Sequence, residues 1–379
     1  MINQGRLAGE FAELASISSP PLREATIAAY LEKRFRLLGA DVLFDDSEKA
    51  TSGQVGNLVA RFPAAGLDVP PMLFSLHMDT VEPCEGVAPV LLDGVFTSAG
   101  ETVLGADDKA GIAEVIEALE VVREQQIPRG PIEVVVTVAE EIGLVGAKNF
   151  DFSLVESRYG YALDTTGVDC VVLRAPGANR INVEVTGREA HAGVAPELGI
   201  SAIQTVGNAI SRMRLGRIDA ETTANIGKIE GGVACNIIPR SVRLEGEARS
   251  HDPQKLQEQT EHMAVCFEEA ADSMAREIEG VSCRPQVHFE VRPDYPQMAV
   301  GANTKVVRLA QTASAELGRP LELQTGGGGS DANMFNAQGI DVVILGTGMT
   351  DVHTTQESVS VADMTRVAEL LVAIMRRAC

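Results

Sequence analysis

Residues that bind metal ions and move protons follow several of the apolar runs in this chain. The segment His77-Met78-Asp79 comes directly after the apolar run 71–76. In a strand, side chains two positions apart point to the same side. His77 and Asp79 can therefore face one site, where the imidazole binds a metal ion and the carboxylate orients the ring.

A pair of aspartates precedes a predicted helix at 109–123. They are Asp107 and Asp108, in the glycine-flanked segment GADDKAG at 105–111. One interpretation is a helix N-terminus whose acidic residues complement the helix dipole. The other is a co-catalytic metal site, in which one carboxylate bridges two cations about 3.5–4 Å apart. The glycines would let the backbone approach such ions closely.

A pair of glutamates, Glu140 and Glu141, directly follows the predicted buried strand 132–138. Carboxylates at the end of a buried strand are costly unless they are paired or coordinate a metal. The strand ends of open α/β sheets are also where such folds bind ligands. One glutamate can hold a metal ion while its neighbour takes a proton from the water bound there. The alternative is a pair of solvated loop residues.

Two single residues complete the set of candidates. Asp164 ends the predicted strand 159–163, and His353 follows the predicted strand 341–345. Four of the five clusters therefore fall just after an apolar, strand-like run, and the fifth precedes a helix. If all five converge, they build a two-metal hydrolase centre.

The length of 379 residues favours two domains over one ordinary core. Apolar strands alternate with amphipathic helices in the two outer parts of the chain. This alternation predicts an α/β catalytic domain, residues 1–176 and 292–379, with a doubly wound, mostly parallel sheet covered on both faces. The predicted strands are 55–62, 71–76, 132–138, 159–163 and 341–345, and the predicted helices are 21–38, 109–123, 302–317 and 361–377.

The middle of the chain, residues 177–291, has a different pattern of polar and apolar residues. Polar and apolar residues alternate in its strands, which is typical of half-exposed sheets. The order strand-helix-strand-strand-helix-strand predicts an inserted ferredoxin-like α+β domain. The predicted strands are 180–186, 222–229, 241–248 and 286–291, and the predicted helices are 196–213 and 253–278.

The charge balance argues against some classes of partner. The chain has 53 acidic and 32 basic residues and a formal net charge of −21, whereas nucleic acids and anionic membrane surfaces attract basic proteins. We therefore expect neither kind of partner. No segment approaches 18 uninterrupted apolar residues, and the N-terminus lacks the apolar region of a signal peptide. The six cysteines are far apart without CxxC pairing, which indicates reduced thiols and a cytoplasmic location.

The order of the clusters, HxD, GxDDKxG, EE, D and H, resembles the di-zinc exopeptidase family that includes peptidase T, aminoacylase and the succinyl-diaminopimelate desuccinylases. The resemblance covers nearly the whole chain, and GADDKAG and EEIG resemble the peptidase T branch most closely. It implies an aminopeptidase or tripeptidase that releases N-terminal residues from short peptides. The chain is shorter than the archetypal tripeptidase and is similar to the compact peptidase T-like enzymes.

The resemblance implies two zinc ions per subunit and a ligand set for each. His77, Asp107 and Asp164 would hold one ion. Asp107 would bridge to the second ion, which Glu141 and His353 would also bind. Cobalt or manganese could replace zinc, because these metals share such ligands.

The resemblance also implies roles beside the metal ions. Glu140 would be the general base, and Asp79 would support His77. Family members often have a non-proline cis peptide after the bridging aspartate, which would fall here between Asp107 and Asp108.

The inserted domain resembles the lid domain of the family, which commonly mediates dimerisation, so a homodimer is expected. His191, in the segment GREAHAG, would polarise the scissile carbonyl, in its own subunit or in the partner's. Asn236 and Arg249 match positions that hold the substrate, and an arginine fork suits a peptide carboxylate.

Other functions remain open at this point. An N-acyl amino acid deacylase or a carboxypeptidase would use the same metal site. A non-catalytic metal or peptide binder is a further alternative, although such a binder would not need Glu140. Phosphoryl transfer on the glycine loop 326–329 is disfavoured because the loop lacks the GK[ST] ending of a phosphate-binding loop. We therefore expect this loop to border the active site.

Overall fold

The computed structural model describes residues 1–377 and divides them into two compact units. The first unit contains residues 1–175 and 298–377, and the second is Pro176–Gln297. No helix among residues 1–377 combines the length and the apolar character that a membrane crossing requires.

Helices occur along the whole of the described chain. They are α1 Gln4–Ser16, α2 Ala25–Leu37, α3 Glu48–Thr51, α4 Ala106–Glu124, α5 Val145–Lys148, α6 Ala202–Ile210, α7 Pro253–Ser273, α8 Lys305–Glu316, α9 Asp331–Ala337 and α10 Val361–Arg377. Two short 3-10 helices are Phe152–Leu154 and Pro196–Leu198.

Strands of the first unit come from both ends of the chain, and those of the second unit from its middle. They are β1 Asp41–Phe44, β2 Leu58–Phe62, β3 Met72–His77, β4 Pro89–Leu92, β5 Val95–Ser98, β6 Ile132–Thr137, β7 Tyr159–Leu163, β8 Cys170–Ala175, β9 Gly177–Thr186, β10 Ala190–His191, β11 Gly216–Arg217, β12 Thr222–Gly231, β13 Ile237–Ile238, β14 Ser241–Ser250, β15 Arg276–Ile278, β16 Val281–Cys283, β17 Gln286–Tyr295, β18 Met298–Ala299, β19 Glu322–Thr325, β20 Asp341–Leu345, β21 Met349–Thr350 and β22 Ser358–Ser360.

A nine-stranded sheet forms the centre of the first unit. The strand order is β1-β2-β6-β3-β7-β20-β8-β18, and β19 also pairs with β8. The central strands β6, β3, β7 and β20 are parallel to one another, which confirms the prediction of a mostly parallel centre. The flanking pairs β1–β2, β2–β6 and β20–β8 are antiparallel. Only residues 164–169 separate β7 from β8, too few for the crossover that would make these two strands parallel.

The central strands are buried, and helices α4, α8 and α9 pack against them. Every residue of β3 and of β6 is buried, as their continuous apolar sequences require. Helix α4 is buried along most of its length, including its acidic residues Glu117 and Glu120. These two carboxylates pair with Arg6 of α1 at 2.6 Å and with Arg34 of α2 at 3.3 Å.

The helices differ from the predicted ones at several places. The predicted helix 196–213 is a 3-10 helix, Pro196–Leu198, followed by α6, because the backbone is extended at Gly199 and Ser201. The structure contains α1, which was not predicted although its buried residues Leu7, Phe11 and Leu14 recur at helical spacing. The predicted helix 21–38 begins at Ala25 because Leu22 has a positive φ of 68°. The predicted helix 253–278 ends at Ser273, since β15 turns back on β16 as a hairpin.

The second unit contains a five-stranded antiparallel sheet of order β11-β12-β14-β9-β17. The apolar faces of α6 and α7 pack on it, with Val206 and Phe267 in a common core with Ile181 and Leu244. The predicted order of four strands and two helices is confirmed. The last strand continues to Tyr295 rather than ending at 291.

Candidate metal centre

The parallel strands bring the predicted ligands to one edge of the central sheet. His77 is the last residue of β3, the Glu140-Glu141 pair follows β6, and Asp164 directly follows β7. Because these strands are parallel, their carboxyl ends meet at the same edge. Two other segments complete the site. Asp107 lies in the first turn of α4, and His353 lies in the loop between β21 and β22.

The five predicted metal ligands form one connected cluster in the structure. His77 Nε2 lies 3.0 Å from Asp107 Oδ1 and 4.0 Å from Asp164 Oδ1. His353 Nε2 lies 3.3 Å from Asp107 Oδ2 and 3.0 Å from Glu141 Oε2. The structure therefore brings together residues that are up to 276 positions apart in the chain (353 − 77).

Asp107 occupies the middle of this cluster. One of its carboxylate oxygens faces His77 and the other faces His353. The peptide bond between Asp107 and Asp108 is cis, as the resemblance implies. A carboxylate placed between two imidazoles in this way suits a bridging ligand of two cations.

The donor atoms fit a metal ion. Ligand atoms of His77, Asp107 and Glu141 all lie within 4.8 Å of one another. Glu141 Oε1 is buried and accepts no hydrogen bond among the described residues, so this oxygen is available as a ligand. Imidazole nitrogens and carboxylate oxygens together suit zinc and similar divalent metals.

Asp79 fixes the orientation of the His77 ring. Its Nδ1 lies 3.0 Å from the backbone carbonyl oxygen of Asp79 and 3.5 Å from the Asp79 carboxylate. A ring that donates through Nδ1 presents the lone pair of Nε2 to a metal ion. The Asp79 carboxylate also accepts the backbone N–H groups of Glu140 and Glu141, at 3.0 and 3.1 Å. Asp79 thus contacts both the histidine and the glutamate pair.

The carboxylates around the two histidines favour their protonated forms. Burial opposes protonation of His77, but its hydrogen bonds with Asp107 and Asp79 raise its pKa well above the usual value. Hydrogen bonds with Asp107 and Glu141 raise the pKa of His353 to about 10. A divalent cation bound among these ligands would take the place of both protons.

Burial and neighbouring charges shift the pKa values of the acidic residues. Burial works to raise the pKa of Asp107, but hydrogen bonds from His353 and His77 lower it below its usual value. Burial and the nearby charge of Asp107 raise the pKa of Asp164 to about 8. Burial, followed by the charge of Asp164, raises the pKa of Glu140 well above its usual value. Such clustering of shifted pKa values is typical of catalytic sites.

Three further residues of the site were not predicted. Glu357 is buried and accepts three backbone N–H groups of the segment that leads into Asp107. Ser330 hydrogen-bonds to Asp164. Asp331 is buried and accepts a hydrogen bond from the Thr137 hydroxyl. Ser330 and Asp331 directly follow the glycine loop 326–329, which therefore leads into the site as expected.

A fourth residue acts from the N-terminal part of the chain. Glu24 is fully buried, and its Oε1 accepts the backbone N–H groups of Leu22 and Ala139, at 2.8 and 3.0 Å. Ala139 immediately precedes Glu140 and has a positive φ of 51°. A single glutamate inside the predicted helix 21–38 gave no sign of this contact, because its partner lies 115 residues further along the chain.

The three substrate-binding candidates all lie in the second unit. The Nδ1 atom of His191 accepts the backbone N–H groups of Gly193 and Val194, each at 3.2 Å. The neutral ring therefore has its proton on Nε2. The backbone oxygen of Asn236 accepts the N–H of Ala192 at 2.9 Å, which holds these two segments together.

Arg249, on β14, is half-buried and donates to Glu247 Oε2 at 2.9 Å. Its guanidinium is thus already paired with a carboxylate of its own strand. A peptide carboxylate at this position could pair with the guanidinium beside Glu247, because Arg249 Nε is buried and donates no hydrogen bond among the described residues.

Comparisons with known proteins agree with this geometry. The family model for "Peptidase family M20/M25/M40" matches residues 73–377. The YqjE protein of Bacillus subtilis strain 168 is 44% identical over the whole of both chains. The crystal structure of aminopeptidase PepT from Bacillus cereus ATCC 10987 is 43% identical with a TM-score of 0.90, covering 100% of this chain and 99% of that one. A tripeptidase from Staphylococcus aureus Mu50 is 40% identical with a TM-score of 0.94, over the same shares of the two chains. The chain therefore belongs to peptidase family M20/M25/M40.

Proposed function

We propose that this protein is a di-zinc aminopeptidase that releases N-terminal residues from short peptides. The observation that carries the proposal is the placement of Asp107, with one carboxylate oxygen 3.0 Å from His77 and the other 3.3 Å from His353. The two similar proteins described as an aminopeptidase and a tripeptidase support the substrate class.

The proposal assigns three ligands to each ion. His77, Asp107 and Asp164 hold one zinc ion, and Asp107, Glu141 and His353 hold the other. Each set combines one imidazole with two carboxylates, which is a donor set that zinc accepts and that cobalt or manganese can share. The unpaired buried oxygen of Glu141 supports this assignment.

When bound, the two ions supply Lewis acidity, which polarises the substrate carbonyl and makes water at the site more acidic. Glu140 takes the proton from the attacking water and returns it to the leaving amine. Its burial and raised pKa suit a group that must hold this proton between the two steps. The hydrogen bond from its backbone N–H to Asp79 fixes its position.

The second unit supplies the remaining groups in this proposal. His191 donates a hydrogen bond from Nε2 to the substrate carbonyl oxygen, which stabilises the negative charge that develops there. The tautomer set by the N–H groups of Gly193 and Val194 supports this role. Asn236 and Arg249 hold the substrate backbone and its carboxylate.

A panel of three substrates tests the function. Unblocked tripeptides, their N-acetylated forms and N-acyl amino acids are incubated with the zinc-loaded protein, and the products are identified by mass spectrometry. We expect a free N-terminal residue from the unblocked tripeptide and little product from the other two. Preferential cleavage of the N-acyl amino acids would instead favour the deacylase, and release of C-terminal residues would favour the carboxypeptidase.

We also propose a cytoplasmic homodimer. The described cysteines, which exclude Cys379, are all free, as expected for a reducing compartment. The second unit exposes large apolar side chains, among them Ile203, Ile229 and Val233, of which Val233 is 89% exposed. Ile203 lies beside Gly232, since a Cβ atom on that glycine would be 3.4 Å from Ile203 Cδ1. Exposed apolar groups of this kind support an interface between subunits.

A further inference from the structure

Glu357 has the hydrogen bonds of a structural anchor. Its side chain is buried, with 2% of the residue exposed. Oε2 accepts the backbone N–H groups of Leu104 and Gly105, at 2.8 and 2.7 Å. Oε1 accepts the backbone N–H of Asp107 at 3.0 Å. One carboxylate therefore satisfies three backbone donors of a single short segment.

The two segments joined by Glu357 both provide ligands to the candidate metal centre. Glu357 lies four residues after His353, in the loop between β21 and β22. The N–H groups it accepts belong to the segment that carries Asp107 into α4. These segments are about 250 residues apart in the chain, so their relative placement depends on contacts of this kind.

The chemistry of the contact requires a carboxylate. Its two oxygens offer about four acceptor sites and no donor. A glutamine side chain of the same shape would offer one oxygen and would turn its NH2 group toward at least one of the N–H groups. A glutamine could then accept the N–H groups of Leu104 and Gly105 or the N–H group of Asp107, but not both sets.

We propose that Glu357 is a positioning residue that sets the placement of Asp107 relative to His353, and hence the affinity of the metal ion these two residues share. The inference rests on the ligand roles given in the proposed function. Glu357 does not touch the substrate or the reacting atoms, and it acts only through the backbone of Asp107.

The test is cobalt binding by Glu357→Gln, compared with Glu133→Gln as a matched control. Glu133 is also buried, and it accepts backbone N–H groups of Glu156 and Ser157 at 3.0 and 2.9 Å. It lies near the start of β6, whereas the metal candidates follow the end of that strand. Both variants lose the same kind of anchor, but only one loss affects the Asp107 segment.

Co²⁺ is titrated into each metal-free protein, and the stoichiometry, the affinity and the visible spectrum are recorded. We expect Glu357→Gln to bind Co²⁺ at the site shared by Asp107 and His353 at least tenfold more weakly and to change the spectrum of that site. Its kcat should fall more than its KM changes. Glu133→Gln should lower the thermal midpoint of the metal-free protein while leaving cobalt binding unchanged. The inference is overturned if Glu357→Gln binds both ions as tightly as the wild type or is affected no more than Glu133→Gln.

Glu357→Asp is the replacement variant for the same titration if Glu357→Gln does not fold. It keeps the charge but shortens the side chain by one methylene, and we expect weaker binding at the same site; unchanged binding would contradict the inference. Cobalt binding does not depend on turnover. A wild-type protein that binds two ions and cleaves no peptide would therefore refute the proposed function and leave the inference about Glu357 standing.

Discussion

Asp107 and Glu140 illustrate how side chains a few ångströms apart are given different tasks. Asp107 faces two imidazoles, which lower its pKa and keep it ionised as a metal ligand should be. The charge of His77 also lowers the pKa of Glu140, but burial and the charge of Asp164 outweigh it and raise that pKa well above its usual value. A carboxylate that readily accepts a proton suits a general base, so environment rather than residue type separates the two roles.

The role of Glu140 predicts a loss of turnover without a loss of metal. Glu140→Gln removes the proton acceptor but none of the proposed ligands. We expect kcat to fall by about 10²–10⁴-fold with the zinc content unchanged, as measured by steady-state kinetics and elemental analysis. Glu141→Gln is the control, and it should instead lose zinc. Near-normal turnover of Glu140→Gln would show that another group takes the proton.

The raised pKa values of the two histidines predict proton release on metal binding. In the metal-free fold, His353 stays protonated up to about pH 10, whereas an unperturbed imidazole loses its proton near pH 6.5. Metal ions bind the neutral ring. Between about pH 6.5 and pH 10, metal binding must therefore displace the proton of His353, and the apparent metal affinity must rise with pH.

Calorimetry at pH 7.5 in buffers of different ionisation enthalpy counts these protons. We expect a net release on zinc binding and a smaller release for His353→Ala. A binding enthalpy that does not depend on the buffer would contradict this account of the site.

The site is assembled at the scale of elements by parallel strands that end at one edge of the sheet. His77, Glu140 and Asp164 could be predicted because each follows a continuous apolar run, which is the pattern of a buried parallel strand. His353 was also a candidate because it follows the predicted strand 341–345, but its assignment to one of two metal ions came only from the order of clusters that the chain shares with a family. Glu357 and Glu24 could not be found, because each contacts backbone N–H groups more than 100 residues away. A carboxylate that binds backbone groups leaves no pattern in the sequence of its partner.

The flanks of the sheet were missed for a related reason. Strand β1 has only four residues, and the antiparallel pairing of β1 and of β8 depends on connection lengths and on neighbours distant in sequence. The inserted unit was easier to predict, because alternation of polar and apolar residues reveals a half-exposed strand directly.

The packing of α4 against β7 predicts that Gly111 cannot carry a side chain. A Cβ atom there would lie 2.3 Å from Asp108 Oδ1 and 2.8 Å from Leu163 Cβ. We expect Gly111→Ala to lower the free energy of unfolding of the first unit by about 1–3 kcal/mol. Gly9→Ala, in α1 with nothing within 4 Å, is the control and should stabilise by about 0.5–1 kcal/mol. Chemical denaturation measures both, and equal stability of the two variants would contradict this packing.

At the scale of the whole molecule, the net charge of −21 keeps most of the surface hydrated, so exposed large apolar side chains need a separate explanation. The apolar side chains of the second unit are the candidates for a subunit interface. The double variant Ile203→Asp with Val233→Asp should therefore convert a dimer to a monomer in sedimentation experiments. Leu92→Asp is the control, because Leu92 is also exposed, at 70%, but lies in the first unit. A wild type that sediments as a monomer would rule out the proposed dimer.

The proposed metal centre depends most on two adjacent cations that share Asp107. A crystal structure of the zinc-loaded protein, with anomalous scattering recorded at the zinc edge, tests this directly. We predict two anomalous peaks, one bound by His77 and Asp164, the other by Glu141 and His353, with Asp107 bound to both. A single peak, or two peaks of which neither contacts His353, would contradict the proposed centre.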